Sequence, residues 1–123
     1  MSGSVLVVDD AAFMRRLIRD ILVPEGFLVH EAVNGRDAVR KYAETRPGLV
    51  TMDISMPVMD GLTALRGIRA LDPDARVIMV TAHSSPDVKR EALAAGAVGY
   101  VTKPFQPAEL LAAVRSVFPV LAE

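Results

Sequence analysis

Strand-like and helix-like patterns alternate five times along these 123 residues, and the connections between them are short. That rhythm constrains the fold more than any other feature. Strands separated by helices are joined by right-handed crossovers and so line up parallel in one sheet. The strand-like runs are residues 5–8, 27–31, 49–52, 77–80 and 98–102. The first and fourth are wholly apolar, as interior strands covered on both faces require. The second, Phe27-Leu28-Val29-His30-Glu31, mixes in polar groups, and the fifth is short and contains Gly99, so both read as edges. A doubly wound, flavodoxin-like (βα)5 sheet in the order 2-1-3-4-5 satisfies these observations. The fold class is α/β, and residues 1–123 form one domain, long enough to bury a real core.

The helical stretches carry their own punctuation. The first is expected over residues 11–23, with Phe13, Leu17 and Ile21 as one stripe and Met14, Ile18 and Leu22 beside it. Arg15, Arg16, Arg19 and Asp20 then face out as a solvated surface, and Pro24 and Gly26 end the helix. Asn34 caps the second helix, which buries Ala38, Val39, Tyr42 and Ala43 and stops before Arg46-Pro47-Gly48. Asp60-Gly61 opens the third, burying Leu62, Leu65 and Ile68. Ser85-Pro86 opens the fourth, and Pro107 the fifth, which buries Leu110, Leu111, Val114, Val117 and Phe118.

All strand carboxyl ends of such a sheet lie on one edge, where ligands bind. The first strand here runs into Asp9-Asp10, the third into Asp53, the fourth into Thr81 and the fifth into Lys103-Pro104. The switch point lies between strands 1 and 3, which deliver the carboxylates. Three carboxylates, a hydroxyl and an ammonium in one cleft suggest phosphoryl transfer above other chemistries.

Each group also has a structural explanation. Asp9-Asp10 could cap the first helix, but a cap uses one aspartate and leaves a like-charged neighbour. A hard-cation site explains both, and Mg2+ suits it because that ion takes one or two carboxylates and binds beside phosphate. Asp53 precedes Ile54-Ser55-Met56-Pro57, where no helix starts, so capping falls to Asp60. In the shared cleft Asp53 is a metal ligand, a nucleophile toward phosphorus, or both. Ser85 fills the cap role near Thr81, which leaves the Thr81 hydroxyl for the cleft. Lys103 could be an exposed strand-end lysine; a cis bond to Pro104 would aim it inward. His83 reads as a surface loop residue and His30 as an edge-strand residue.

Bulk properties narrow the partners. A formal net charge of −1 and the absence of Trp argue against nucleic-acid binding. Zero cysteines exclude a disulfide scaffold or a thiolate metal site, and no apolar run is long enough for a membrane span. Met1-Ser2-Gly3-Ser4 leads directly into a strand, so no targeting peptide is expected and the location expected is cytoplasmic.

The chain resembles the receiver domain of two-component response regulators along essentially its whole length. The resemblance rests on Val7-Val8-Asp9-Asp10, on Met52-Asp53-Ile54-Ser55-Met56-Pro57-Val58-Met59-Asp60-Gly61, on Val80-Thr81-Ala82 and on Val101-Thr102-Lys103-Pro104-Phe105. Within that family it is most similar to the stand-alone chemotaxis regulators, through Asp9-Asp10-Ala11-Ala12-Phe13-Met14-Arg15 and residues 49–56.

The resemblance implies that Asp53 is the phosphoacceptor. It implies that Asp10 and Asp53 bind Mg2+ by their side chains, that the Ser55 backbone carbonyl is a further ligand, and that Asp9 acts largely through water. Thr81 and Lys103 then contact the phosphoryl oxygens, and Tyr100 is the switch aromatic that turns inward when Thr81 engages them. Ser55 and His83, two residues beyond Asp53 and Thr81, stand where the family tunes acyl-phosphate lifetime. The implied partners are a CheA-like histidine kinase as donor, a flagellar motor switch protein or other protein target, and a phosphatase, with the receiver a monomer. The chain is expected to be a phosphoacceptor that promotes its own phosphorylation and dephosphorylation, not a turnover enzyme. Since it stops soon after the fifth helix, a stand-alone regulator is expected. A receiver from another phosphorelay or excised from a larger regulator is the alternative. A small Mg2+-dependent phosphatase with an aspartyl nucleophile and a never-phosphorylated interaction module are the other rivals.

Overall fold

The computed structural model describes residues 3–118, so the expectations placed on Met1-Ser2 and on the chain end after Phe118 lie outside the described residues. Five parallel strands, β1 (Ser4–Val8), β2 (Leu28–Ala32), β3 (Leu49–Met52), β4 (Val77–Thr81) and β5 (Gly99–Thr102), form one sheet in the order β2-β1-β3-β4-β5. The helices are α1 (Ala12–Leu22), α2 (Gly35–Thr45), α3 (Gly61–Leu71), α4 (Pro86–Ala94) and α5 (Pro107–Val117). Both predicted edges are edges. Strand limits shift by one residue, β2 to Leu28–Ala32 and β5 to a Gly99 start.

The period-2 alternation of strand side chains splits the core into two layers. Leu6, Val8, Val50, Met52, Val77 and Met79 meet Ala38, Tyr42, Ala64, Leu65, Ile68 and Ala92 from α2, α3 and α4. Val5, Val7, Leu49, Ile78, Val80 and Val101 meet Ile18, Leu22, Leu110 and Val114 from α1 and α5, closed off by Phe27 and Phe118. Burial on both faces explains the continuous apolar runs 5–8 in β1 and 77–80 in β4, while β3 admits one buried polar residue, Thr51.

Three of the expected caps are in place. Asn34 accepts from the Asp37 N–H at 2.8 Å, Asp60 from the Thr63 N–H at 2.8 Å and Ser85 from the Asp87 N–H at 3.2 Å. The first helix is shorter than expected: Val23–Glu25, with Pro24, form a separate 3-10 turn ending at Gly26, whose φ is +96°. Its N-cap is Ala11, with no side-chain cap, so neither aspartate serves the helix in that way.

Two burial expectations fail. Phe13 is 72% and Leu17 42% exposed, and the buried stripe of α1 is Ile18 and Leu22, flanked by Met14 and Ile21. Ala43 is exposed as well, since α2 turns Ala38 and Tyr42 to the sheet. Arg15 departs from the solvated face and is taken up below.

Candidate functional site

The site is assembled by where strands stop. The Asp53 N–H continues the β1–β3 ladder to the Val8 carbonyl (3.1 Å), and the Asp9 N–H continues the β1–β2 ladder to the Ala32 carbonyl (3.2 Å). The Lys103 N–H bonds the Thr81 carbonyl at 2.8 Å, carrying β5 one residue past its end. Gly61 fixes the floor: its N–H bonds the Ile54 carbonyl at 2.8 Å, and a Cβ there would sit 1.9 Å from the Asp53 carbonyl oxygen. Only glycine lets α3 start so close to the acid.

Carboxylate oxygens of Asp9, Asp10 and Asp53 lie within 4.8 Å of one another. Asp9 is 2% and Asp53 8% exposed, while Asp10 faces solvent. The Lys103 ammonium joins the two buried acids, 2.6 Å from Asp9 Oδ2 and 3.2 Å from Asp53 Oδ2. The remaining oxygens are held by backbone: Asp9 Oδ1 accepts from the Ala11 N–H at 2.9 Å and Asp53 Oδ1 from the Ile54 N–H at 2.7 Å. Burial alone would lower the Lys103 pKa, but the hydrogen bond and charge of Asp9 and the charge of Asp53 outweigh it, so the value lies above the ordinary one. The Lys103–Pro104 peptide is cis.

Three carboxylates against one ammonium leave the pocket negative, and every carboxylate donor is a hard oxygen. That donor set fits a divalent cation such as Mg2+ and offers nothing to a soft metal.

Thr81 is fully buried at the end of β4, and its hydroxyl accepts from the His83 N–H at 3.3 Å. The sequence left this hydroxyl free for the cleft; in the structure it is engaged by the His83 backbone. The Tyr100 hydroxyl donates to the His83 carbonyl at 2.7 Å, and its ring packs against the α2–α4 core layer. Burial, then the charge of Asp53, pushes the Tyr100 pKa up. His83 thus links Thr81 and Tyr100 through its backbone, while its Nε2 lies 2.5 Å from Ser55 Oγ. Read from its own surroundings in the sequence, His83 is a surface loop residue; only the family resemblance sets it beside Ser55 as a position that tunes acyl-phosphate lifetime. Its Ser55 partner is 28 residues away, and no local pattern reports such a pairing. His30 is an edge-strand residue, partly buried in β2.

The comparisons with known proteins agree with this geometry. The family described as the response regulator receiver domain matches residues 5–115. The chain belongs to that family. Chemotaxis protein CheY of Bacillus subtilis (strain 168) is 51% identical over 115 residues, covering 93% of this chain and 96% of that protein. Chemotaxis protein CheY of Thermotoga maritima is 46% identical over 118 residues, covering 95% and 98%. Among solved structures, the CheX-CheY-BeF3-Mg+2 complex from Borrelia burgdorferi superposes with a TM-score of 0.91 at 39% identity, covering 94% of this chain and 88% of that one. This receiver is accordingly the CheY-like receiver domain of a response regulator in two-component signalling. No helix among its described residues is long and apolar enough to cross a membrane.

Proposed function

We propose that the receiver accepts a phosphoryl group on Asp53 from a histidine kinase and changes its surface for a protein target. The observation that carries this reading is the Asp53 carboxylate, buried at a strand end beside two further acids and tied to Lys103. The Asp53 oxygen attacks phosphorus, the P–O bond forms, and the P–N bond breaks with its electron pair passing to the donor nitrogen; the donor imidazole, protonated on its other ring nitrogen, leaves neutral. Lys103 meets the negative charge that spreads over the transferring oxygens, and the Thr81 hydroxyl, released from the His83 N–H, hydrogen-bonds one of them. Asp10 and Asp53, with the Ser55 carbonyl, would hold Mg2+, and Asp9 would act through water; the ion supplies neutralisation of phosphate charge. The relative crystallised with BeF3 and Mg+2 supports that assignment.

The new charge and acceptor oxygens bias two packings of one surface. Thr81 and Tyr100 share His83, so a move of the Thr81 hydroxyl is felt at Tyr100. The likeness to chemotaxis proteins supports a CheA-like donor, a flagellar motor switch target and a dephosphorylating partner, all in the cytoplasm. The receiver acts once per phosphoryl group and is not a turnover enzyme. With acetyl phosphate and Mg2+, the protein is expected to gain one phosphoryl mass, and Asp53→Asn to gain none while keeping its fold. Labelling that survives in Asp53→Asn overturns the assignment, and multiple turnover of p-nitrophenyl phosphate would make it a phosphatase instead.

A further inference from the structure

The sequence puts Arg15, Arg16 and Arg19 on one charged face, and the structure separates them. Arg16 is exposed, and Arg19 reaches Glu31 from a half-exposed position. The Arg15 side chain is only 15% exposed and forks between two elements: Nε lies 3.0 Å from Glu31 Oε1 on β2, and Nη1 donates to the Asp9 carbonyl at 2.8 Å. That carbonyl belongs to the peptide joining Asp9 to Asp10. Glu31 is itself held in place, its carbonyl accepting from Lys41 Nζ at 2.6 Å.

We propose that Arg15 is a positioning residue for the divalent-cation site, fixing the Asp9–Asp10 peptide so that the Asp10 carboxylate points into the cleft. The proposal rests on the reading of that cleft as a Mg2+ site. Asp9 has anchors of its own, through Ala11, Lys103 and Ala32. Asp10 makes no hydrogen bond or ion pair among the described residues, so its direction depends on its backbone alone. The Arg15 guanidinium is the one side chain that donates to this peptide among the described residues. Partners behind metal ligands of this kind set affinity although they never touch the metal.

Charge and position predict opposite signs here. A guanidinium near a cation repels it, so if charge governed, removing Arg15 would tighten Mg2+ binding. If position governs, removing it weakens binding. Lysine keeps the charge but lacks the planar fork that spans Glu31 and the Asp9 carbonyl, so it will not substitute.

The test is calorimetric titration of the full chain with Mg2+, alongside thermal melts. Arg15→Met and Arg15→Lys are each expected to weaken binding by about 10-fold. Arg16→Met removes the same charge from the exposed face and is expected to leave affinity unchanged or slightly tighter. Binding by Arg15→Met as tight as wild type, or full affinity in Arg15→Lys, overturns the proposal. Should Arg15→Met fail to fold, Arg15→Lys decides alone by the same criterion. A wild type that takes up no Mg2+ removes the cation site and this proposal with it. Binding that Asp10→Asn abolishes and Arg15→Met leaves intact removes only the role of Arg15.

Discussion

Lys103 occupies the position at which the electrostatics of the cleft are decided. It bridges two carboxylates that are both nearly inaccessible, Asp9 and Asp53, and stands in for part of the positive charge a cation would bring. Deleting one member of a buried charge cluster costs far more than the cluster contributes, because the rest are left uncompensated. Lys103→Met is therefore expected to lose about 3 kcal/mol of stability in chelator. It is also expected to regain more on addition of Mg2+ than wild type does, since the ion meets acids with no competing ammonium. Thermal melts with and without Mg2+ read both effects. Equal melting of the two proteins in chelator would show that the Lys103 contacts do not support the acids. His83 and Ser55, two residues beyond Thr81 and Asp53, face each other through their side chains at 2.5 Å.

At the scale of elements, strands were legible and helix faces were less so. A parallel strand buried on both sides is close to continuously apolar and stops where the sheet stops. The runs ending at Asp9, Asp53, Thr81 and Lys103 therefore mark the cleft in the sequence itself. Caps were legible for the same local reason, as Asn34, Asp60 and Ser85 illustrate. Helix α1 was not, because it carries two adjacent apolar stripes and periodicity does not say which one meets the sheet. Ile18 and Leu22 do, and Phe13 and Leu17 stay in solvent. Arg15 was missed because a long side chain can bury its stem and send its head to a partner far along the chain. Leu22→Ala is expected to cost about 2–5 kcal/mol by opening a cavity in the core layer it shares with Val5 and Phe118, whereas Leu17→Ala costs under about 1 kcal/mol. Urea unfolding of the two variants measures the difference. Equal losses would mean that α1 is rotated from the orientation described.

Seen whole, the molecule has a chemical end and an end that ties the chain down. Opposite the cleft, the Tyr42 hydroxyl of α2 donates to Asp72, just past α3, at 2.7 Å, and Arg46 lies 3.6 Å from the same carboxylate. Burial, then the hydrogen bond and charge of Asp72, pushes the Tyr42 pKa up from 10.0 to about 12. A pKa raised by folding means that the protonated form is the one the fold favours. The contribution is complete below pH 10.0, declines as the pH rises, and is gone above about 12. Lys103 acts in the same direction at the other end, its raised pKa adding stability that is lost above its ordinary value of 10.5. The receiver is thus expected to be alkali-sensitive at both ends, and Tyr42→Phe separates them. The variant gives up about 1 kcal/mol of hydrogen bonding near neutral pH. Its urea midpoint should then fall less steeply than that of wild type between pH 10.0 and about 12, because the Tyr42 contribution is gone and those of Lys103 and Tyr100 remain to be lost. Parallel decline of the two proteins through that window would show that the bond between Tyr42 and Asp72 does not couple α2 to α3.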